Sequence, residues 1–162
     1  MIYTYDRIIN SIADQLAAIF PAPGGGCLYP VRRSPSQDTE YPCFYIFLTI
    51  PELYDEVGDK QKRVTGFDVV FVQQRNTPDQ YGPIATVLEA LDMGFKMLRY
   101  NDGESVVPLH VLERNASIED QELHYKFTLK QRVSLPVPVE LMQTMEEANV
   151  EIKEYKPTRP KV

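Results

Sequence analysis

The chain has 162 residues, of which 43% are hydrophobic and 25% charged, so it can bury one core of ordinary size and is not a wholesale disordered segment. A formal net charge of −6, with a pI near 5.0, argues against a general nucleic-acid binder, because phosphate contacts need clustered Lys and Arg; a short basic stripe on one face remains compatible with it. Two cysteines without a CxxC, no apolar run near the roughly 20 residues a membrane-spanning helix requires, and an opening (Met1-Ile-Tyr-Thr-Tyr-Asp-Arg) without a signal-peptide pattern lead to the expectation of a cytoplasmic protein that makes no membrane contact.

In chain order, the first predicted element is a helix from about Thr4 to Phe20. Ile8, Ile9, Ile12, Leu16, Ile19 and Phe20 recur at helical spacing, Thr4 suits an N-cap, and Asp6 lies in the first turn, where the helix dipole favours an anion. Pro21 and Gly24-Gly25-Gly26 end it, and a short strand over Cys27–Val31 is expected after them. Cys43–Ile50 (CFYIFLTI) is almost wholly apolar, which suits a strand covered on both faces or one facing a neighbouring subunit. Pro51–Lys62 is rich in charge, has Gly58-Asp59 near its centre, and reads as a long hairpin connection to a partner strand, Arg63–Gln73.

A second helix is predicted between about Thr77 and Leu98. Thr77-Pro78-Asp79-Gln80 has the form of a capping box with proline at the first helical position, Gly82-Pro83 interrupts it, and Ile84, Val87, Leu88, Leu91 and Phe95 supply the buried stripe. Asn101-Asp102-Gly103 is a turn. Val106–Arg114 and Gln121–Val133 read as a hairpin around Asn115–Asp120. In its second strand Leu123, Tyr125, Phe127, Leu129 and Val133 alternate with His124, Lys126, Thr128, Lys130 and Arg132. After Pro136 and Pro138 a short helix over Val139–Asn149 (Leu141, Met142, Met145) and an extended stretch over Val150–Tyr155 (Ile152, Tyr155) form an appendage. The expected architecture is α+β: an antiparallel or mixed sheet with two helices on one face, spanning residues 1–135, plus a C-terminal helical and extended arm, 136–162.

Catalytic signatures are missing: there is no GxSxG, HExxH or Walker A, and no GxGxxG after a strand. If the last hairpin turns near Ser117, His110 and His124 oppose each other, but two imidazoles without a third ligand fall short of a zinc site. Cys43 starts an apolar strand, a setting for an inert thiol and not for an activated nucleophile. Asp55, Glu56 and Asp59 lack the spacing of a calcium loop. No catalytic residue, metal or cofactor is therefore expected. Three other features suit assembly. Glu52, Tyr54, Asp55, Glu56, Asp59, Lys60, Lys62 and Arg63 lie in or beside the long connection and can reach a neighbour. Lys126, Lys130 and Arg132 form a basic stripe that reads either as an ordinary solvated face or as a partner for the acids of an adjacent subunit. Leu141, Met142, Met145, Ile152 and Tyr155 of the arm complete the candidate subunit interface.

Several stretches together resemble the tail terminator, or tail completion, proteins of tailed bacteriophages and phage-tail-like particles. They are Ile19-Phe20-Pro21, Tyr41-Pro42-Cys43-Phe44-Tyr45-Ile46, Arg63–Phe71 (RVTGFDVVF), Val87-Leu88-Glu89-Ala90-Leu91, Leu123-His124-Tyr125-Lys126-Phe127 and Met142-Gln143-Thr144-Met145-Glu146-Glu147 followed by Val150-Glu151-Ile152-Lys153. These are hydrophobic patterns spread over most of the chain, not chemical signatures. The resemblance implies a homo-oligomer, a hexameric ring, that caps the tail tube, stops its polymerisation and joins the tail to neck or connector proteins. The implied partners are the tube protein and the neck, with sheath protein a further candidate. DNA would pass through the lumen unread, and the setting would be the virion, assembled in the host bacterial cytoplasm. Two alternatives stand beside it: another neck, connector or tube-like subunit of the same particle, and a small enzyme using Cys43 or the two histidines.

Overall fold

The computed structural model describes residues 3–34, 40–76 and 78–134. Helix α1 (Tyr5–Ile19) forms where the sequence places it. Thr4 is extended and its hydroxyl accepts the Arg7 N–H at 3.3 Å, satisfying one of the first-turn donors. Ile8, Ile12 and Leu16 are fully buried, and Ile9 and Ile19 pack at the edge of the same core. Two polar residues on this helix fasten it to the backbone of residues 94–101. The Ser11 hydroxyl accepts the Asn101 N–H at 3.1 Å. The Gln15 amide donates to the carbonyls of Gly94 and Met97, at 2.7 and 2.9 Å, and accepts the Arg99 N–H.

The expected Cys27–Val31 strand is reduced to a single Pro21–Cys27 bridge and a two-residue strand β1 (Val31–Arg32). Gly25 and Gly26 take positive φ in the turn between, and the Phe20 carbonyl already accepts from Leu28, so the chain is spent reversing and cannot extend earlier. The remaining elements are β2 (Cys43–Asp55), β3 (Lys60–Val72), α2 (Tyr81–Gly94), β4 (Met97–Asn101), β5 (Val106–His110), β6 (Leu112–Glu119) and β7 (Glu122–Ser134). β1, β2, β3, β7 and β6 make a mixed sheet in that order, with β1 parallel to β2 and the other pairs antiparallel; β4 and β5 pair separately. The class is α+β, as the sequence indicates.

α2 is shorter than expected at both ends. It starts after Gln80, with the Asp79 carboxylate accepting the Gly82 N–H at 3.1 Å, and it stops at Phe95. Pro78 therefore precedes the helix instead of opening it; Thr77 lies outside the described residues. Leu98 belongs to β4, where it points into the core.

Ile84, Val87, Leu91 and Phe95 of α2 meet the α1 stripe and one face of the large sheet, formed by Phe44, Ile46, Phe67, Val69, Phe71, Leu123, Tyr125, Phe127 and Leu129. Removing each large side chain from water contributes about 1.5–3 kcal/mol, so this interlayer core dominates the fold. The β7 alternation holds throughout, with Leu123, Tyr125, Phe127, Leu129 and Val133 buried. The opposite face carries a small buried patch, Cys43, Tyr45 and Val70 with Val72 against it, and Phe47 stacks on Tyr45 at its exposed margin; the β7 positions of this face are polar.

The last hairpin differs from the reading of the sequence. Val106–His110 pairs with β4, while β6 pairs with β7 through a tight turn at Asp120-Gln121, both at positive φ. In the β4–β5 turn the Asp102 carboxylate accepts the N–H groups of Ser105 and Glu104, which hold it below the ordinary carboxylate range. A depressed folded value means that the stabilisation is present above the unfolded pKa and is lost as pH falls through the folded one. Asp102→Ala is thus expected to lower the melting temperature at neutral pH and to have little effect in strong acid. Equal losses at both pH values in thermal scans would exclude the carboxylate as the cause.

Candidate assembly surface

Pro51–Lys62 is not a loop. β2 and β3 run on to Asp55 and from Lys60, with β7 paired along the other side of β3 as far as Lys60 opposite Ser134, so this end of the sheet is a three-stranded ribbon with β2 as its edge; only residues 56–59 form the turn, with Gly58 at φ 83°. Pro51 and the charges signalled a connection, but both are tolerated on an edge strand, where an N–H is dispensable and charge discourages unwanted pairing. β1 covers β2 only at Phe44 and Tyr45, so the rest of β2 is an edge. A register shift between Leu48 and Ile50 bends it, and a Cβ on the opposing Gly66 would lie 2.7 Å from Thr49 Oγ1.

From Phe47 onward every β2 residue is exposed, and these include Phe47, Leu48, Ile50, Leu53 and Tyr54; Val57 at the tip is 97% exposed. The expectation for Cys43–Ile50 thus divides: Cys43–Ile46 is covered on both faces, and the remainder is open.

Two carboxylates of the ribbon accept from neutral neighbours. The Tyr54 hydroxyl donates to Glu52 at 2.6 Å, and that carboxylate raises the phenol above its usual range. Gln61 donates to Asp55 at 2.9 Å. Asp59, Lys60 and Lys62 surround the tip. Arg63 turns inward: buried, it donates to the Tyr3 carbonyl and lies 4.4 Å over the Tyr5 ring, fastening the start of α1 to β3. The basic stripe of β7 faces outward and pairs within the chain, Lys126 with Glu119 (4.0 Å), Lys130 with Glu113 (3.6 Å) and Arg132 with Glu56 (3.3 Å). Such exposed pairs contribute about 0–1 kcal/mol each and leave these side chains free to exchange partners. Leu141, Met142, Met145, Ile152 and Tyr155 lie outside the described residues.

The chemistry-bearing candidates do not converge. His124 stands opposite Val70 and Ser117, whereas His110 stands opposite Met97 in the other sheet, so the supposed pair belongs to two different sheets. Its premise, a hairpin centred on Ser117, fails because the turn is at Asp120-Gln121. His124 instead donates through Nδ1 to Asp68 at 2.8 Å on the outer sheet face. This pair escaped the sequence reading, although an acid at an outward position between Phe67 and Val69 was its signal. Cys43 is buried and Cys27 half-buried, both are free thiols, and burial pushes both above the ordinary thiol value, which disfavours the thiolate a nucleophile needs. Among the described residues no group of three His, Cys, Asp or Glu side chains is placed to hold a metal ion, and no helix is long and apolar enough to cross a membrane.

What distinguishes the surface is thus a projecting, apolar-sided ribbon on an α+β core. No curated protein matches the chain. The profile of a family described as phage tail terminator protein does match, over residues 7–137, which takes in α1 from its third residue, α2 and β1 to β7. The chain belongs to the phage tail terminator protein family and so to the structural components of the bacteriophage tail.

Proposed function

We propose that the protein forms a closed ring, hexameric by resemblance to its family, which caps the head-proximal end of the tail tube, stops tube polymerisation and joins the tail to the neck. Family membership over residues 7–137 carries this reading. The ribbon supports it, because an open edge strand with exposed apolar side chains is costly in a lone subunit and useful in an assembly. The role is structural and needs no catalyst or cofactor. Its partners are further copies of itself, the tube protein and neck proteins, with sheath protein a further candidate. DNA passes the lumen without sequence readout, in keeping with a net charge of −6. Contacts are assigned to the ribbon and to the segment after Pro136, and assembly takes place in the host cytoplasm.

The test is electron microscopy of particles made with and without the protein. The expected result is density at the tube's head-proximal end and, in its absence, tubes of uncontrolled length that fail to join heads. Normal tube lengths without the protein, or density elsewhere in the particle, would reject the assignment.

A further inference from the structure

Leu48, Leu53 and Asp55 lie on one face of β2, the face shared with Phe67, Arg63 and Gln61 of β3. Leu48 and Leu53 are 39% and 46% exposed. The edge they belong to is poorly suited to adding another strand, since a bulge bends it at Thr49 and Pro51 lacks an N–H. Whatever covers it must dock through side chains. Elsewhere on the chain is a concave site of matching chemistry. A groove of about 420 Å³ between α1 and β4 is lined by the apolar Ala18, Ile19 and Val106 and the polar Asp14, Gln15, Arg99 and Asn101. Val106 is 59% exposed, and Arg99 is exposed with no ion pair among the described residues. Gln15 is occupied in holding the backbone of β4, so the groove is a rigid feature.

We infer that the ribbon of one copy docks in the α1–β4 groove of the next, Leu48 and Leu53 against Ile19 and Val106, with the Asp55 carboxylate paired to Arg99. This rests on the ring reading and specifies its contact. Ribbon and groove are different surfaces of one chain, so the contact is head-to-tail, the kind that closes a ring or, failing closure, propagates a filament. Two apolar anchors beside one opposed charge pair give both packing and register.

Sedimentation velocity on the full-length chain tests it, with circular dichroism to confirm that each variant is folded. Leu53→Lys and Val106→Lys both change exposed side chains, and each is expected to weaken self-association at least tenfold. Mixed in equal amounts they should form a one-to-one dimer, because one intact ribbon and one intact groove remain. Asp55→Arg and Arg99→Asp should each weaken association, and the double variant should restore it. Association that survives Val106→Lys while failing in Leu53→Lys would place the ribbon on another surface of a copy, or on the tube, and overturn the docking. So would a wild-type chain that stays monomeric to concentrations on the order of 1 mM, an interface weaker than about 4 kcal/mol. Rings that persist in both variants would refute the docking and leave the ring reading standing; open filaments broken by both would do the reverse.

Discussion

Replacing Phe127 by alanine is expected to destabilise the protein by about 3–5 kcal/mol, a large part of the roughly 5–15 kcal/mol that holds a domain of this size together. Phe127 is 2% exposed at the centre of the interlayer core. Its ring packs 5.8 Å from that of Phe67 on the neighbouring strand and 5.5 Å from that of Phe95 at the end of α2. One side chain therefore joins the sheet to the helical layer, and its loss opens a cavity between two elements that cannot collapse independently. Phe127→Leu keeps most of the volume and is expected to cost about 1–2 kcal/mol. Lys126→Ala, one residue away on the solvent face, is expected to change stability by no more than about 0.5 kcal/mol. Urea unfolding of the three variants checks the order. Comparable losses at 126 and 127 would mean that the two faces of β7 are not distinguished as described.

The second large effect is expected at Asp68. Its side chain is 10% exposed and accepts from His124, itself 19% exposed, at 2.8 Å; the other carboxylate oxygen is buried without a hydrogen-bond partner among the described residues. Taking one member of such a pair away leaves the other poorly solvated, and Asp68→Ala is expected to cost about 2–4 kcal/mol. His124→Ala should cost a similar amount. Replacing both by leucine is expected to be far milder than the sum of the single changes, because it removes the desolvation penalty together with the contact and extends the apolar patch formed by Cys43, Tyr45 and Val70. A double-mutant cycle measures this directly, and strict additivity would show that the two groups are not coupled. The pair lies on the sheet face that carries no helix, away from the interlayer core probed at Phe127.

The local elements were legible in the residues. The α1 stripe of Ile8, Ile12 and Leu16, its Thr4 cap, the β7 alternation and the apolar run from Cys43 are all periodic patterns or cap chemistry, and these depend only on neighbours in the chain. The α+β class follows from their order. Family resemblance was legible for the same reason, since it rested on those patterns. The candidate interface residues of the ribbon were singled out mostly by their charge, whereas Leu48 fell in a strand read as covered or facing a neighbour and Leu53 was passed over inside the charged connection, because exposure is not written in a residue's identity.

Pairing was decided by the tertiary structure. Val106–His110 has the composition to join either β4 or β7; the Asp102 turn delivers it to β4, and the positive-φ turn at Asp120-Gln121 fixes β6 against β7, which removes His110 from His124. Pro51 and the acids near it, read locally, stop a strand, yet paired to a continuous β3 they become the edge of a ribbon, because hydrogen bonds from one side suffice to hold it. Side-chain periodicity is a property of the segment, whereas strand partners, register and the exposure of an edge are set by contacts far apart in sequence. On that ground the sequence by itself determined the first helix, the clearest strands, the class and the kind of protein, and only the fold decided strand partners, the reach of β2 and β3, and which apolar side chains are left exposed.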